Sequence, residues 1–161
     1  MLADSFFETG ETAKARKQYE LAAKMIRDPE LSAYCELQNA RCLAMLGKVD
    51  DALRAYDRLV VQYPKTSFAD DALLRAGMLQ AGQKRNLGEA EKAFDRIGKD
   101  YPASDSAEHA LYYYATVLRW QNRFNDSEKA YKALLGKYPN APVKDEIANN
   151  ILPGMAKDKI K

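Results

Sequence analysis

Residues 50–64 read DDALRAYDRLVVQYP, and two later segments repeat their pattern: residues 88–102, GEAEKAFDRIGKDYP, and residues 125–139, NDSEKAYKALLGKYP. Each segment has a small residue at its third position, an aromatic residue four positions later and an apolar residue after three more. Each then closes with Tyr-Pro. Ala15, Tyr19 and Ala22 form an earlier copy that lacks the Tyr-Pro pair, and the small residues of the four copies are separated by 37, 38 and 37 positions.

Spacings of three, four and seven place these residues on one stripe of an α-helix. The small residue lets a second helix approach closely, and the aromatic residue fills the space beside it. Proline ends each helix because it lacks an amide proton and clashes with the preceding turn. Gly10, Gly47 and Asn122 precede the repeated segments at matching positions, where the left-handed backbone of a helix end favours Gly or Asn.

The pattern therefore predicts an all-α chain of antiparallel helix hairpins in about four units. The predicted units cover residues 1–29, 30–64, 65–102 and 103–139, and the third holds an extra residue near positions 82–86. The predicted helices span residues 2–9, 11–27, 31–46, 49–63, 68–81, 87–100, 105–121 and 124–138. A capping helix at 143–152 completes a single domain over 1–152, Pro153-Gly154 stops it, and residues 153–161 form a frayed tail.

The repeat resembles the tetratricopeptide repeat. Its pattern matches residues 33–64 at Ala40, Leu43, Gly47, Ala52, Tyr56, Leu59 and Pro64. The tryptophan often found early in the first helix of that family is absent. The resemblance implies a right-handed superhelical stack whose first helices line a concave groove, and a function in binding proteins rather than in catalysis.

The linkers between units carry a finer resemblance. Residues 63–72, YPKTSFADDA, and residues 101–110, YPASDSAEHA, look like the linker of a bacterial subgroup with a lengthened, 37-residue repeat. That subgroup includes the Tol–Pal coordinator protein and the lipoprotein of the outer-membrane β-barrel assembly machine. It implies a bacterial cell-envelope setting, in the periplasm or at the outer membrane, while a cytoplasmic location stays open. Because Met1 leads directly into a repeat in progress, we expect the chain to be a piece of a longer protein.

Composition excludes several classes of function. The 25 basic and 23 acidic side chains nearly balance, which argues against a nucleic-acid partner, since such binding needs a concentrated basic surface. No apolar run approaches the roughly 18 residues that cross a bilayer, so we expect no membrane insertion. Cys35 and Cys42 lie about 10 Å apart along one helix face, too far for a disulfide, so we expect free thiols.

No residue pattern indicates catalysis, a cofactor or a metal. His109 is the only histidine, and no nucleophile or metal-ligand partner accompanies it. The carboxylate pairs Asp50-Asp51 and Asp70-Asp71 stand at predicted helix starts, where acidic groups favour capping. Lys84 and Arg85 form a basic loop cluster, either solvated or in contact with an anionic partner.

The repeat register predicts which first-helix positions face the groove. They are Tyr34, Leu37, Arg41, Met45, Leu74, Met78, His109, Tyr112, Arg119 and Trp120. Aromatic residues, Met and Arg are enriched in protein interfaces. The register places Tyr114 in the core and leaves Trp120 open between groove and core.

We therefore expect a scaffold whose groove takes an extended or helical segment of a protein partner. The alternative is an architectural role, in which the face of the incomplete first unit pairs with a second copy to give a homodimer.

Overall fold

In the computed structural model, residues 1–158 are described, with side chains described through Met155. The helices are α1 (Leu2–Glu8), α2 (Thr12–Met25), α3 (Pro29–Met45), α4 (Val49–Gln62), α5 (Ala69–Gly82), α6 (Leu87–Asp100), α7 (Ser106–Trp120), α8 (Phe124–Lys137), α9 (Lys144–Glu146) and α10 (Leu152–Asp158), with a π-helical segment, Ile147–Ile151, before α10. No strand occurs within residues 1–158. The all-α prediction is confirmed, and the bounds of the first eight helices agree with the predicted ones to within two residues.

The helices divide between two compact units, Met1–Leu79 and Gln80–Lys161. We call them the N-terminal unit and the C-terminal unit, and α5 runs from the first into the second. Odd-numbered helices from α1 to α7 are the first helices of the hairpins, and even-numbered helices from α2 to α8 are the second helices. The prediction of a single domain over residues 1–152 stays a prediction.

The hairpin turns share one left-handed residue each. Positive φ angles occur at Gly10 (78°), Gly47 (74°), Arg85 (54°) and Asn122 (60°), at the same steps of 37, 38 and 37 as the small residues. After Gly47 the amide of Lys48 donates to the carbonyl of Leu43 at 2.9 Å, which satisfies a carbonyl left open by the end of α3. The amides of Glu11 and Arg123 donate in the same way, to Phe6 and Leu118.

The turn of the third hairpin is wider than the others. Four residues, 83–86, separate α5 from α6, whereas three separate the helices of the other hairpins. The amide of Asn86 donates to the carbonyl of Gln80 at 2.8 Å, and the Asn86 side chain caps α6 by accepting from the amide of Glu89 at 3.3 Å. The extra residue predicted near 82–86 lies in this turn, but the left-handed conformation of Arg85 was not predicted, because arginine does not mark such a position.

The Tyr-Pro pairs end the second helices as predicted. In each linker the carbonyl of the tyrosine accepts from the amide three residues later, at 3.1 Å. The donor and acceptor residues are Thr66 and Tyr63, Ser104 and Tyr101, and Ala141 and Tyr138. One turn geometry therefore recurs in all three linkers and sets the start of each following helix.

The small and aromatic positions of the repeated stripe are buried in all four second helices. Its small residues are Ala15, Ala52, Ala90 and Ser127, each 0% exposed, and its aromatic residues are Tyr19, Tyr56, Phe94 and Tyr131, each at most 2% exposed. The polar atoms in the stripe of α8 have partners: the Ser127 hydroxyl donates to the carbonyl of Ala115 at 2.7 Å, and the Tyr131 hydroxyl shares a hydrogen bond of 2.8 Å with Thr116. Such satisfied polar groups are tolerated in a core.

Beyond α8 the chain covers the apolar end of the C-terminal unit. Ile147, Ile151 and Met155 are at most 8% exposed and pack with Tyr131 and Leu134. The covering function predicted for this segment is confirmed.

The predicted stop of that segment is wrong, since the helix continues through Pro153 to Asp158. The amide of Leu152 donates to the carbonyl of Ile147, five residues back, in a wide π turn. Such a turn lets a helix accommodate a proline that cannot donate a bond of its own. Of the predicted frayed tail, residues 159–161 lie outside the described residues.

At the other end of the chain, one carboxylate ties three helices together. Asp4 of α1 accepts from the hydroxyl of Tyr19 at 2.7 Å and from that of Tyr34 at 2.6 Å. Burial opposes its ionisation, but these bonds and one from the Met1 amine outweigh burial and lower the pKa of Asp4 to about 2. A charged Asp4 therefore stabilises the packing of α1 on α2 and α3.

The hairpin turns yield a prediction about stability. A left-handed backbone costs an L-residue about 1–2 kcal/mol and costs glycine little. We expect Arg85→Gly to raise the free energy of unfolding by about 0.5–1 kcal/mol, after the larger unfolded-state entropy of glycine is included. We expect Gly47→Ala to lower it by about 1 kcal/mol, although no atom lies within 4 Å of the added Cβ.

Chemical denaturation measures both changes. Gly98→Ala is the matched control, because Gly98 lies in α6 with ordinary φ and open space around it, and there alanine should stabilise by about 0.5–1 kcal/mol. A loss of stability in Arg85→Gly, or a gain in Gly47→Ala, would contradict the assignment of these turns.

Candidate functional site

Within the N-terminal unit, α3 carries the first group of predicted groove residues. The helix is set by Asp28, whose carboxylate accepts from the amide of Leu31 at 2.8 Å, and by Pro29 at the first helical position. Along one face Tyr34 is half-buried, Arg41 is half-buried and Met45 is 61% exposed. These three side chains lie on the surface of one helix, and their place in a binding groove stays a prediction.

Tyr34 is held by its neighbours. Its ring lies edge-on to Tyr19 with centroids 6.2 Å apart, and 5.6 Å from the ring of Phe68. Its hydroxyl donates to Asp4, so both the ring and the hydroxyl of Tyr34 are held by contacts. Burial raises the pKa of Tyr34. Tyr34 therefore presents a fixed ring edge rather than a mobile side chain.

Arg41 is also held in place, but by uncharged groups. Its Nη1 donates to Oε1 of Gln38 at 2.8 Å, and its guanidinium lies 5.1 Å from the centroid of the Phe7 ring. Among the described ion pairs none includes Arg41, so its charge has no carboxylate to balance it. Gln38, only 8% exposed, was not predicted to take part. Its participation could have been predicted from the sequence, because Gln38 lies about one helical turn before Arg41 and the two side chains therefore share a face.

Leu37 is the one predicted groove residue that the structure removes from the surface. It is 3% exposed, so its assignment to the groove is wrong. Leu37 belongs to the packed interior of α3, which lies against both α2 and α4. Leu74 of α5 and Tyr112 of α7 occupy the same repeat position and are only half-buried.

In α5, Met78 continues the exposed apolar surface of the N-terminal unit. It is 44% exposed, and Leu74, one turn before it, is partly exposed. Between them Arg75 pairs with Asp71, whose carboxylate accepts from its Nε at 2.9 Å. The face of α5 therefore offers methionine and leucine atoms while its nearby charges balance each other.

The predicted residues of the C-terminal unit are spread along α7. His109 in its first turns is exposed, while Tyr112 and Arg119 are half-buried. The Tyr112 ring packs edge-on against Tyr113 and Tyr131, with ring centroids 5.6 and 6.0 Å away. Part of the Tyr112 ring is therefore in contact with the core and is not available to a partner. Tyr114, predicted in the core, packs partly buried against the apolar cluster of this unit.

Trp120 is neither in the core nor beside Tyr112. It is 55% exposed at the C-terminal end of α7 and lines an open cavity of about 660 Å³. The other lining residues come from the third hairpin and its turn: Ala81, Gly82, Arg85 and Leu87. The sequence left Trp120 open between two positions, and the structure places it at the hairpin end.

The cysteine side chains do not form a reactive or metal-binding site in the part of the chain that the structure describes. Cys35 and Cys42 are free, as predicted, and both are buried. Burial raises the pKa of both thiols, which disfavours the reactive thiolate. No group of three or more metal-ligating side chains occurs among the described residues.

The acidic pairs lie in the first turns of α4 and α5, where the helix dipole favours them, but the cap residue of α4 is Lys48. Asp51 instead pairs with Arg54, one turn along the helix. The predicted position of both acidic pairs at helix starts is confirmed. Within residues 1–158, none of the helices has both the length and the apolar character that crossing a bilayer requires.

Known structures share this arrangement of hairpins. A tetratricopeptide repeat protein from Parabacteroides merdae has a TM-score of 0.65 and 22% identity, over 86% of this chain and 50% of that chain. A MamA RS-1 ArsTM double mutant has a TM-score of 0.67 and 17% identity, over 87% of this chain and 73% of that chain. TPR-like repeats of a putative kinesin light chain from Podosopora anserina have a TM-score of 0.65 and 13% identity, over 87% and 73%.

These likenesses, all below 25% identity, show the fold alone. The chain spans half the length of the Parabacteroides merdae protein that it matches. No curated protein matches the chain significantly. Neither the Tol–Pal coordinator nor the β-barrel assembly lipoprotein is among these relatives, so the resemblance of the linkers stays a prediction.

Family models give the more specific result. One model, described as tetratricopeptide repeat, matches residues 37–105, and a second with the same description matches residues 109–141. The chain therefore contains tetratricopeptide repeats across residues 37–105 and 109–141.

Proposed function

We propose that the chain is a protein-binding module in which the exposed faces of the first helices take a segment of a partner protein. Tetratricopeptide repeats generally mediate protein–protein interaction, and proteins built from them are generally non-catalytic scaffolds. The proposal is therefore a binding function with no catalytic step and no cofactor. Its best-defined surface is on α3 and α5 of the N-terminal unit.

The observation that carries the proposal is the pairing of exposed methionines with fixed polar groups. Met45 and Met78 are 61% and 44% exposed on first helices. Methionine side chains adapt to irregular partner surfaces. Next to Met45, Arg41 carries a charge that no described carboxylate balances, and Tyr34 presents a fixed ring. An apolar segment with an acceptor group, such as a carboxylate, fits this combination.

Preorganisation supports the same surface. The contacts of Arg41 with Gln38 and Phe7, and of Tyr34 with Asp4, already restrict these side chains in the free protein. Binding then costs less side-chain entropy, about 0.5–1.5 kcal/mol for each side chain that need not be immobilised.

We also propose a setting for the module. The linker segments 63–72 and 101–110 support a place within a larger bacterial protein of the cell envelope, in the periplasm or at the outer membrane. The chain's coverage of half of its relative from Parabacteroides merdae is compatible with such a larger protein.

Self-association is a second candidate, and one observation on α2 favours it. Leu21 and Met25 lie one turn apart and are 53% and 81% exposed. At the same repeat positions α4 carries Arg58 and Gln62, and α6 carries a charged pair, Arg96 and Asp100. Large exposed apolar residues where these two repeats are polar indicate a surface that is covered by another protein.

The partner-segment proposal predicts the effect of substitutions on α3 and α5. Peptides should be selected for binding to the immobilised chain from a displayed random library, and their Kd measured. We expect Arg41→Ala and Met45→Ala each to raise Kd about tenfold, and Met78→Ala to do the same for longer peptides. A tenfold change corresponds to a loss of about 1.4 kcal/mol of binding free energy, which is typical of an interface residue.

The matched control is Met25→Ala, which removes a methionine that is even more exposed, at 81%, from a second helix. It should leave Kd unchanged, and circular dichroism should show an intact fold in every variant. Peptides that bind all four variants with the Kd of the unchanged chain would refute the α3 and α5 surface.

The self-association candidate predicts a concentration-dependent dimer. Light scattering after size-exclusion chromatography should give the mass of two chains at high protein concentration, and the variant Leu21→Glu with Met25→Lys should give the mass of one. A monomer at every concentration rules out this candidate, as does a dimer that survives both substitutions.

A further inference from the structure

The cavity at Trp120 has the features of a second binding site, separate from α3. It lies wholly in the C-terminal unit, at the end of the third hairpin, and its volume is about 660 Å³. Its lining consists of Trp120, Ala81, Gly82, Leu87 and Arg85. Pockets of this size commonly hold a side chain or a small ligand between apolar walls.

The walls of the cavity are tied together by hydrogen bonds. Directly after Trp120, the side-chain Nε2 of Gln121 donates to the carbonyl of Leu87 at 3.3 Å and to the carboxylate of Glu91 at 3.0 Å. The other oxygen of Glu91 pairs with Arg123 at 2.7 Å. The start of α6 is therefore fixed to the turn between α7 and α8, and the cavity is preformed.

The charge of Arg85 is available to a ligand. Arg85 is exposed, and none of the described hydrogen bonds or ion pairs includes it. The carboxylates that stand nearest in sequence have other partners, since Glu89 pairs with Lys92 and Glu91 with Arg123. One unbalanced cation thus stands beside an exposed indole.

The wider turn of this hairpin produces the arrangement. Residues 83–86 contain one more residue than the turns of the other hairpins, and Arg85 holds the left-handed conformation (φ 54°) that Gly10 and Gly47 hold elsewhere. Such a conformation in a non-glycine residue costs free energy and is retained where the surroundings impose it. At this turn position the third hairpin therefore has an arginine side chain beside the cavity, where the first two hairpins have a glycine without a side chain.

We propose that this cavity binds an acidic peptide segment that carries an aromatic or aliphatic side chain. The apolar side chain lies against the Trp120 indole between Ala81 and Leu87, and a neighbouring carboxylate accepts hydrogen bonds from the Arg85 guanidinium. Arg and carboxylate groups match in geometry and charge, and an aromatic or aliphatic side chain buries apolar area on the indole.

A peptide fits this site better than a nucleic acid. Binding to a phosphate backbone requires several cations in a row, because its affinity comes from neutralising successive phosphates. The cavity lining supplies one arginine, and the chain as a whole carries a net charge of only +2. Trp120 and Leu87 can contact one apolar side chain, and the single cation can bind one carboxylate.

Intrinsic fluorescence tests the proposal, because Trp120 is the sole tryptophan of the chain. The probes are three pools of synthetic heptapeptides in which Phe, Leu, Ile or Met alternates with Asp and Glu, with Asn and Gln, or with Lys and Arg. We expect the acidic pool to change Trp120 emission saturably, with an affinity about tenfold above that of the neutral pool and reduced by added salt.

Variants separate the cation from the fold. Arg85→Gly, which suits the left-handed backbone, should lower the affinity for the acidic pool to that for the neutral pool while leaving the fold intact. Lys132→Gln is the control, because Lys132 is an exposed cation paired with Glu128 on α8, and it should bind as the unchanged chain does. Trp120→Leu, measured by polarisation of labelled peptides, should bind the acidic pool about tenfold more weakly.

Arg41→Ala distinguishes this site from the surface on α3, since it should leave the Trp120 response unchanged even if the α3 proposal is correct. The inference fails if the acidic and neutral pools give the same response or neither responds. It also fails if Arg85→Gly binds the acidic pool as the unchanged chain does, or if a single-stranded oligonucleotide binds more tightly than the acidic pool.

Discussion

The close contact of helices at one buried stripe is the constraint on which the rest of the structure depends. In each second helix a residue no larger than serine lies at 0% exposure, and an aromatic side chain one turn later is at most 2% exposed. A larger residue at the small position would separate the helices, and a smaller one at the aromatic position would leave a cavity. Because the stripe recurs at nearly constant steps, the turns and linkers recur with it.

The same constraint leaves the outward faces of the first helices available for binding. Second helices carry the stripe, so the outward positions of α3, α5 and α7 are available for methionine, arginine and histidine. Where the step lengthens from 37 to 38, the change is absorbed in the turn at residues 83–86 rather than in a helix. That insertion leaves the packing of Ala90 and Phe94 intact and creates the local difference at Trp120.

The fold could be predicted from the sequence because each of its signals is local and repeated. Tyr-Pro, the small–aromatic stripe and Gly47 each act within one turn of the chain. The features that were missed depend on contacts between distant segments or on residues without a conformational preference. Leu37 is buried in α3, which contacts both α2 and α4, and Arg85 is left-handed because its turn position requires it.

Replacement of a residue in the stripe tests the account most directly. Ala52, 0% exposed in α4, should not accept a larger side chain, so Ala52→Leu should lower the free energy of unfolding by about 1–3 kcal/mol in chemical denaturation. Ala133→Leu, on the exposed face of α8, should change it by less than about 0.5 kcal/mol. Equal effects of the two substitutions, or a gain in stability for Ala52→Leu, would contradict the account.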